Sequence, residues 1–426
     1  MADGQDQGRP LGEVIRRARV LQQRSQADVA ASLGYHQSKL SRLENGHGTE
    51  DTRVLRAVAA ELAVPLHHLG LAPPTTPPTA DHEAEDMRRR TFLAGSAASL
   101  AAPSAPPAQH HRELVRALLP GLPSAPSDHV PSLPQLSARV STARRLFCTC
   151  DYAELGRILP PLIDDLRQAA RAADSAPAGT VTGLLATAYQ TLTGLLLKLG
   201  DGGSAWMAVG RAMAEGERSG DPVVLASSVR VQAHALARGK HSSHAIALVR
   251  HTADQMTGAY DRRSPRYLAA LGLMLLRGVT AASGAGDRAA TQEFLGEASE
   301  VARHVALDRP DAWANFSPTN VQLHAVSAAV ALGDTGVALE TAQPLMGRRI
   351  PVPERRSALW VEAARAYSQQ GRLADGYRAV RIAESCAAQD IRRPAVRELV
   401  ADMAARDRRR ALPELHHFSR QLGVPA

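Results

Sequence analysis

The feature that most constrains the fold is the stretch SQADVAASLGYHQSKLSRLENG, which occupies residues 25–46. Ser25 and Asp28 have the spacing of a capping box, in which each side chain accepts the backbone N–H of the other residue. The helix that begins there meets Gly34, and glycine adopts the left-handed conformation of a tight corner without steric cost. A second short helix follows and ends near Gly46. The stretch therefore predicts two helices joined by a tight turn.

The two helices carry the apolar residues that a steep helix crossing needs. Because Leu40 and Leu43 must face inward, the polar residues Gln37, Ser38 and Arg42 must face outward. An outward row of hydrogen-bonding side chains near the start of a short helix suits the major groove of DNA. The inward set consists of Val29, Ala30, Leu33, Leu40 and Leu43.

With its closing Leu-Glu-Asn-Gly, the stretch resembles the DNA-binding domain of the XRE family of lambda-repressor-like regulators, over residues 10–70. Family members often carry Ser or Thr at the position of His36, so the start of the recognition helix departs from the family pattern. The resemblance implies three sets of residues. These are base-reading residues His36, Gln37, Ser38 and Arg42, phosphate-binding residues Gln26, Lys39 and Asn45, and a partly buried structural pair, Arg19 and Glu44.

Helix signals on both sides of this stretch complete a five-helix N-terminal domain over residues 8–71. Leu11, Ile15 and Ala18 share one face of a first helix. A fourth helix ends near Leu62, and Pro65 begins a last turn. Residues 1–70 hold nine basic against eight acidic side chains, so affinity for DNA would depend on a few placed contacts and on pairing two domains.

Residues 72–134 contain twelve of the 27 prolines of the chain and predict a Pro/Ala/Ser-rich linker. Within them, Arg89-Arg90-Thr91-Phe92-Leu93 matches the pattern of a twin-arginine export signal. A DNA-binding domain ahead of this motif places it far from an N-terminus, where such a signal acts. We therefore interpret the motif as part of the linker and expect a cytoplasmic protein.

The remaining residues, 135–426, predict an α-solenoid of degenerate helical hairpins. Only 4% of the chain is aromatic, so the helix formers Ala and Leu must supply most of the packing. Turn glycines are followed at fixed offsets by small residues, as in Gly200 with Ala205 and Gly333 with Ala338, and Cys150 replaces glycine in one copy. The spacing resembles tetratricopeptide repeats with a drifting period. The fold class expected for the whole chain is all-α.

One segment of the repeats stands apart because it gathers aromatic, amide and imidazole side chains. It either lines an effector groove or supplies core residues and a helix start at Pro318, and the sequence leaves both readings open. Asn320 and His324 are four apart and share a helix face. The candidate groove residues are Trp313, Asn315, Phe316, Asn320 and His324.

Several functions find no support in the sequence. No uninterrupted apolar run reaches the ~18 residues that span a bilayer, no phosphate-binding glycine loop is present, and no spacing fits a metal site. The sequence thus predicts no cofactor, no metal and no catalytic activity. An XRE-type domain joined to such repeats resembles actinobacterial regulators and, more distantly, peptide-sensing quorum regulators.

We therefore expect a homodimeric transcription regulator that binds a palindromic operator and senses a peptide, small molecule or protein. The alternative is an adaptor protein that acts through its repeats and has a dispensable N-terminal domain.

Overall fold

The computed structural model describes residues 8–22, 24–35, 37–46, 52–62, 64, 69, 108–119, 131–172, 178–259, 264–305 and 316–424. These residues form 20 helices and no strand, which confirms the all-α prediction. The chain divides into two compact units, residues 1–101 and residues 102–426, which we call the head and the body.

The described part of the head consists of four helices around one small core. Their bounds are α1 Gly8–Leu21, α2 Gln26–Ser32, α3 Gln37–Glu44 and α4 Thr52–Glu61. Ile15, Val29, Leu40 and Val58 are all fully buried in this core, as the apolar spacing predicts. Leu69 is also buried there, but most of the predicted fifth helix lies outside the described residues.

The body begins with α5, Ala108–Arg116, and continues as a series of helical hairpins. Short connections join the two antiparallel helices of each hairpin, and this arrangement confirms the predicted α-solenoid. The first three hairpins are α6 Leu133–Thr149 with α7 Tyr152–Ala172, α8 Ala178–Leu199 with α9 Gly202–Ser219, and α10 Pro222–Arg238 with α11 Ser242–Ala259. The next three are α12 Pro265–Gly284 with α13 Arg288–Ala302, α14 Pro318–Leu332 with α15 Thr335–Met346, and α16 Pro353–Gln369 with α17 Leu373–Cys386. The one-turn α18 Ala388–Ile391 precedes a terminal pair, α19 Pro394–Arg406 and α20 Pro413–Gln421.

The same turn closes the first helix of each of the six main hairpins. One residue adopts the left-handed conformation, and the next residue donates its N–H to the carbonyl five positions earlier. Cys150, with φ of 60°, takes this position in the first hairpin, where its replacement of glycine was predicted. In the third hairpin Lys240, with φ of 65°, takes it instead of the neighbouring Gly239. The other left-handed turn residues are Gly200, Gly286, Gly333 and Gly371.

The six first helices form the inner layer of the body, and this layer closes on itself. Each packs against the next in the order α6, α8, α10, α12, α14 and α16, and α16 packs back against α6. At the closure, which we call the seam, the Tyr152 hydroxyl donates to Asp390 Oδ1 at 2.9 Å. Lys198 Nζ lies 2.8 Å from both Glu354 Oε1 and Asp390 Oδ1. The solenoid therefore forms a ring around a lumen, a closure that the sequence did not predict.

Helix α5 lies inside the segment 72–134 that was predicted to be an unpacked linker. Leu114 and Leu118 are fully buried in the core of the first hairpins. The Arg167 guanidinium donates to the Ala117 carbonyl at 2.5 Å, and His111 Nε2 lies 2.9 Å from Asp201 Oδ2. The prediction of unpacked chain is therefore wrong for residues 108–119, because apolar side chains between the prolines find a core to fill.

By length and composition alone, α12 is the one described helix that could cross a membrane. In the body, however, 78% of its apolar window is buried. Its Tyr267 hydroxyl donates to the Met256 carbonyl at 2.8 Å. These contacts are those of a core helix.

Candidate nucleic-acid interface

A fixed turn positions the candidate recognition helix, α3. Ser25 Oγ accepts the Asp28 N–H at 3.1 Å, and Asp28 Oδ2 accepts the Ser25 N–H at 3.0 Å, so the predicted capping box begins α2. Gly34 has φ of 68°, and its N–H reaches the Ala31 carbonyl at 3.0 Å. The corner between α2 and α3 is thus set by local hydrogen bonds and by a left-handed glycine.

Helix α3 buries one edge and presents the other to solvent. Leu40 and Leu43 are at most 2% exposed and hold the helix on the head core. Gln37, Ser38 and Arg42 are exposed on the opposite side. Three side chains that the resemblance implies for base reading are therefore accessible, whereas His36 lies outside the described residues.

A buried ion pair fixes the end of α3 against α1. Arg19 Nε and Nη2 donate to the two oxygens of Glu44 at 2.5 and 3.0 Å, and Arg19 Nη1 donates to the Arg24 carbonyl at 2.9 Å. Burial raises the pKa of Glu44, but the hydrogen bonds from Arg19 and Gln26 outweigh it and leave that pKa below its ordinary value. At Gly12 on α1, a Cβ would lie 2.5 Å from the Glu44 carbonyl oxygen, so the two helices approach closely there.

The three residues implied for phosphate binding differ in their exposure to solvent and in their hydrogen bonds. Gln26 Nε2 donates to Glu44 Oε2 at 2.7 Å, which uses one of the two N–H groups of its amide. Lys39 is exposed, with its ammonium 3.8 Å from the centre of the Tyr35 ring. Asn45 is exposed just after α3 ends. Lys39 and Asn45 are thus accessible to a phosphate, and Gln26 also braces Glu44.

Of the candidate groove residues of the body, the three that the structure describes do not form an exposed set. Phe316 is buried against Gly272, where a Cβ would lie 2.1 Å from the ring. Asn320 is 2% exposed, and its N–H is capped by Ser317 Oγ at 3.2 Å. His324 Nδ1 donates to the Asn320 carbonyl at 2.9 Å. Phe316 and Asn320 thus match the core alternative, while Trp313 and Asn315 lie outside the described residues.

Four arginines on the inner helices of the body were not predicted as site residues from the sequence. We call them the lumen arginines, and they are Arg144, Arg230, Arg277 and Arg355. Arg230 lies within electrostatic range of the other three. In the sequence, Arg277 is noticeable because it interrupts an otherwise apolar run in α12. Its role in a charged cluster could not be predicted, because the other three arginines lie on other helices, which the ring brings together.

Comparison with known proteins identifies the head. A family model described as a helix-turn-helix domain matches residues 10–69. No curated protein and no solved structure matches the chain. The matched range contains α1 to α4 and the exposed edge of α3. The head is therefore a helix-turn-helix domain, and its presence indicates a DNA-binding regulator.

Proposed function

We propose that this protein is a sequence-specific transcription regulator of the XRE type, in which α3 enters the major groove. The observation that carries the proposal is the two-sided character of α3. Its buried face, formed by Leu40, Leu43 and Glu44, packs on the head core. Its opposite face exposes Gln37 and Arg42 to solvent. A side chain held on a rigid helix contacts base edges at low conformational cost.

The residues have separate roles in this proposal. Arg42, with its two-pronged guanidinium, is suited to guanine, and Gln37 to adenine. Lys39 and Asn45 flank them and contact phosphates, which sets the register of α3 without reading sequence. Gln26 contacts a phosphate with the N–H that it does not share with Glu44. Because the head is nearly neutral, these few contacts must supply most of the selectivity.

We further propose that the protein acts in the cytoplasm as a homodimer and that its body responds to an effector. Two heads would place their α3 helices about one DNA turn, ~34 Å, apart on a palindromic operator. An effector bound by the body would change operator affinity through a coupling of about 1–3 kcal/mol. The support is the presence of a helix-turn-helix head and a separate helical body in one chain.

The test is selection of bound sequences from a random DNA pool, followed by affinity measurements with variants of the full chain. Arg42→Ala should relax the preference at one base pair per half-site by about 1–3 kcal/mol. Lys39→Ala should weaken binding to all sequences and make it less dependent on salt. Arg17→Ala, which removes an exposed arginine of α1, is the matched control.

If the parent protein selects no sequence, the adaptor alternative is favoured. If Arg42→Ala keeps the full preference of the parent, α3 is not the reading helix.

A further inference from the structure

The lumen of the body concentrates positive charge. Arg144 is on α6, Arg230 on α10, Arg277 on α12 and Arg355 on α16, so four different walls contribute one guanidinium each. Arg230 lies within electrostatic range of the other three, two of which are on helices that do not adjoin α10 in the ring. The charges therefore meet across the lumen and are not spread along one wall.

Within the described residues, the carboxylates close to this charge are shared with other cations. Glu354, which lies within electrostatic range of Arg277, already binds Lys198 at 2.8 Å and Arg355 at 3.3 Å. Asp390 is shared by Lys198 and Arg393 at the seam. Within the part of the chain that the structure describes, neither Arg230 nor Arg277 forms an ion pair, and the buried Nε of Arg277 has no hydrogen-bond partner.

Enclosure makes this arrangement costly for the unliganded protein. Burial, together with the neighbouring arginines, lowers the pKa of Arg230 to about 9. The same two causes lower the pKa of Arg277 to about 10. Like charges held together in a partly enclosed space repel, and an anion placed among them relieves that repulsion.

We propose that the lumen of the body is a binding site for a small, multiply charged oxyanion of the pyrophosphate type, held by the lumen arginines. Guanidinium groups pair with phosphate oxygens through two parallel hydrogen bonds, and four of them suit two adjacent charged groups better than one carboxylate. Since Arg230 lies within electrostatic range of arginines on three other helices, a small molecule is sufficient to contact several of them at once.

Two neutral histidines complete the site. Burial, then the charges of Arg355 and Arg277, lower the pKa of His324 to about 3. Burial and the nearby arginines also lower the pKa of His234, which lies one turn after Arg230 on α10. Since Nδ1 of His324 donates to the Asn320 carbonyl, its Nε2 is free to accept a hydrogen bond from a ligand hydroxyl. His324, one of the groove residues predicted from the sequence, thus lies within electrostatic range of two lumen arginines.

The site itself is independent of DNA recognition, but a role for it as the effector site rests on the proposed function. The experiment is calorimetric titration of the full chain with inorganic pyrophosphate at constant ionic strength. ADP, inorganic phosphate, citrate and a single-stranded oligothymidylate are the comparison arms. We expect saturable binding of one pyrophosphate per chain and at least tenfold weaker binding of inorganic phosphate. Equal or tighter binding of ADP would assign the pyrophosphate group to a nucleotide.

The decisive variants are Arg230→Met and Arg277→Met, with Arg145→Met as the matched control because Arg145 is exposed on α6. Each lumen variant should weaken pyrophosphate binding at least tenfold, and the control should bind like the parent. Removing one of several repelling charges should also raise the melting temperature of the unliganded protein. A lower melting temperature would indicate that these arginines are structural and would overturn the proposal, as would equal weakening in the control or preferential binding of citrate or the oligonucleotide.

The two proposals fail in different ways. Absence of pyrophosphate binding, with sequence-selective DNA binding intact, would refute the lumen site alone. Pyrophosphate binding by a protein that selects no DNA sequence would refute the proposed function and leave the lumen site standing.

Discussion

Glu44 is the residue on which the placement of α3 most depends, and its removal gives a quantitative test. Its side chain is 2% exposed and accepts three hydrogen bonds, two from Arg19 and one from Gln26. Removing one partner of a buried ion pair costs about 3–5 kcal/mol because the other charge loses its compensation. Arg19 keeps its bond to the Arg24 carbonyl and is 13% exposed. We therefore expect Glu44→Ala to destabilise the head by about 3 kcal/mol.

That loss is large for a domain of this size. At ~0.05–0.15 kcal/mol per residue, the helix-turn-helix domain of the head, residues 10–69, has a free energy of unfolding of ~3–9 kcal/mol. Because every ~1.4 kcal/mol changes an equilibrium constant tenfold, the slowest amides of α3 should exchange roughly 100-fold faster. Hydrogen exchange of the full chain, measured by mass spectrometry, reads the head directly and uses the body peptides as an internal reference.

Two variants and a pH series make the test specific. Glu13→Ala removes an exposed carboxylate from α1 and should leave exchange unchanged. The double variant Arg19→Met with Glu44→Leu removes both charges and should recover most of the loss. The pKa of folded Glu44 lies below its ordinary value, so its contribution is present above the unfolded-state pKa and disappears as pH falls through the folded one. Exchange within threefold of the parent in Glu44→Ala, or a difference between the two proteins that does not shrink as the pH is lowered, would refute the reasoning.

Three further predictions concern the body, each measured by urea unfolding of the full chain. Gly272→Ala should lower the free energy of unfolding by about 1–3 kcal/mol because the new Cβ meets the Phe316 ring. Gly284→Ala, which has open space around it, should not lower it. Equal urea midpoints for the two variants would contradict the packing. Lys240→Gly should stabilise by up to about 1 kcal/mol, since it releases a left-handed residue with an exposed side chain, and any loss would count against this. Lys198→Met should lose about 3 kcal/mol because it removes the cation shared by two buried carboxylates at the seam, each of which keeps one longer ion pair at 3.3 Å. An unchanged midpoint would show that the seam does not depend on Lys198.

Features that depend on neighbouring residues could be predicted from the sequence. The capping box at Ser25, the left-handed Gly34 and the inward Leu40 follow from short-range geometry, and the structure has them all. The same holds for Cys150, which was predicted from its spacing alone to replace a turn glycine. Such features can be predicted from the sequence because both partners of each interaction lie within one or two helical turns of each other.

Features that depend on distant residues could not be predicted. Helix α5 was not predicted because prolines flank it on both sides. The composition of the whole segment indicated a linker, although a few apolar residues within it pack into the core of the body. The seam joins Tyr152 to Asp390, which are 238 positions apart. No periodicity along the chain indicates that the first and sixth hairpins meet. The cluster of lumen arginines could not be predicted for the same reason, because in the sequence each arginine is an isolated charge within its own helix.

Seam and lumen are linked through Arg355, which lies 3.3 Å from Glu354 and within electrostatic range of Arg230. Arg144 and Arg355 come from α6 and α16, the two inner helices that close the ring, and both lie within electrostatic range of Arg230. An anion bound by both arginines would favour the closed ring. By thermodynamic linkage, a change that weakens the seam must then also lower the affinity for the anion. Lys198→Met should therefore reduce pyrophosphate affinity although Lys198 forms its ion pairs at the seam and not with the ligand. Unchanged affinity in a folded Lys198→Met protein would mean that the lumen site and the closure are independent.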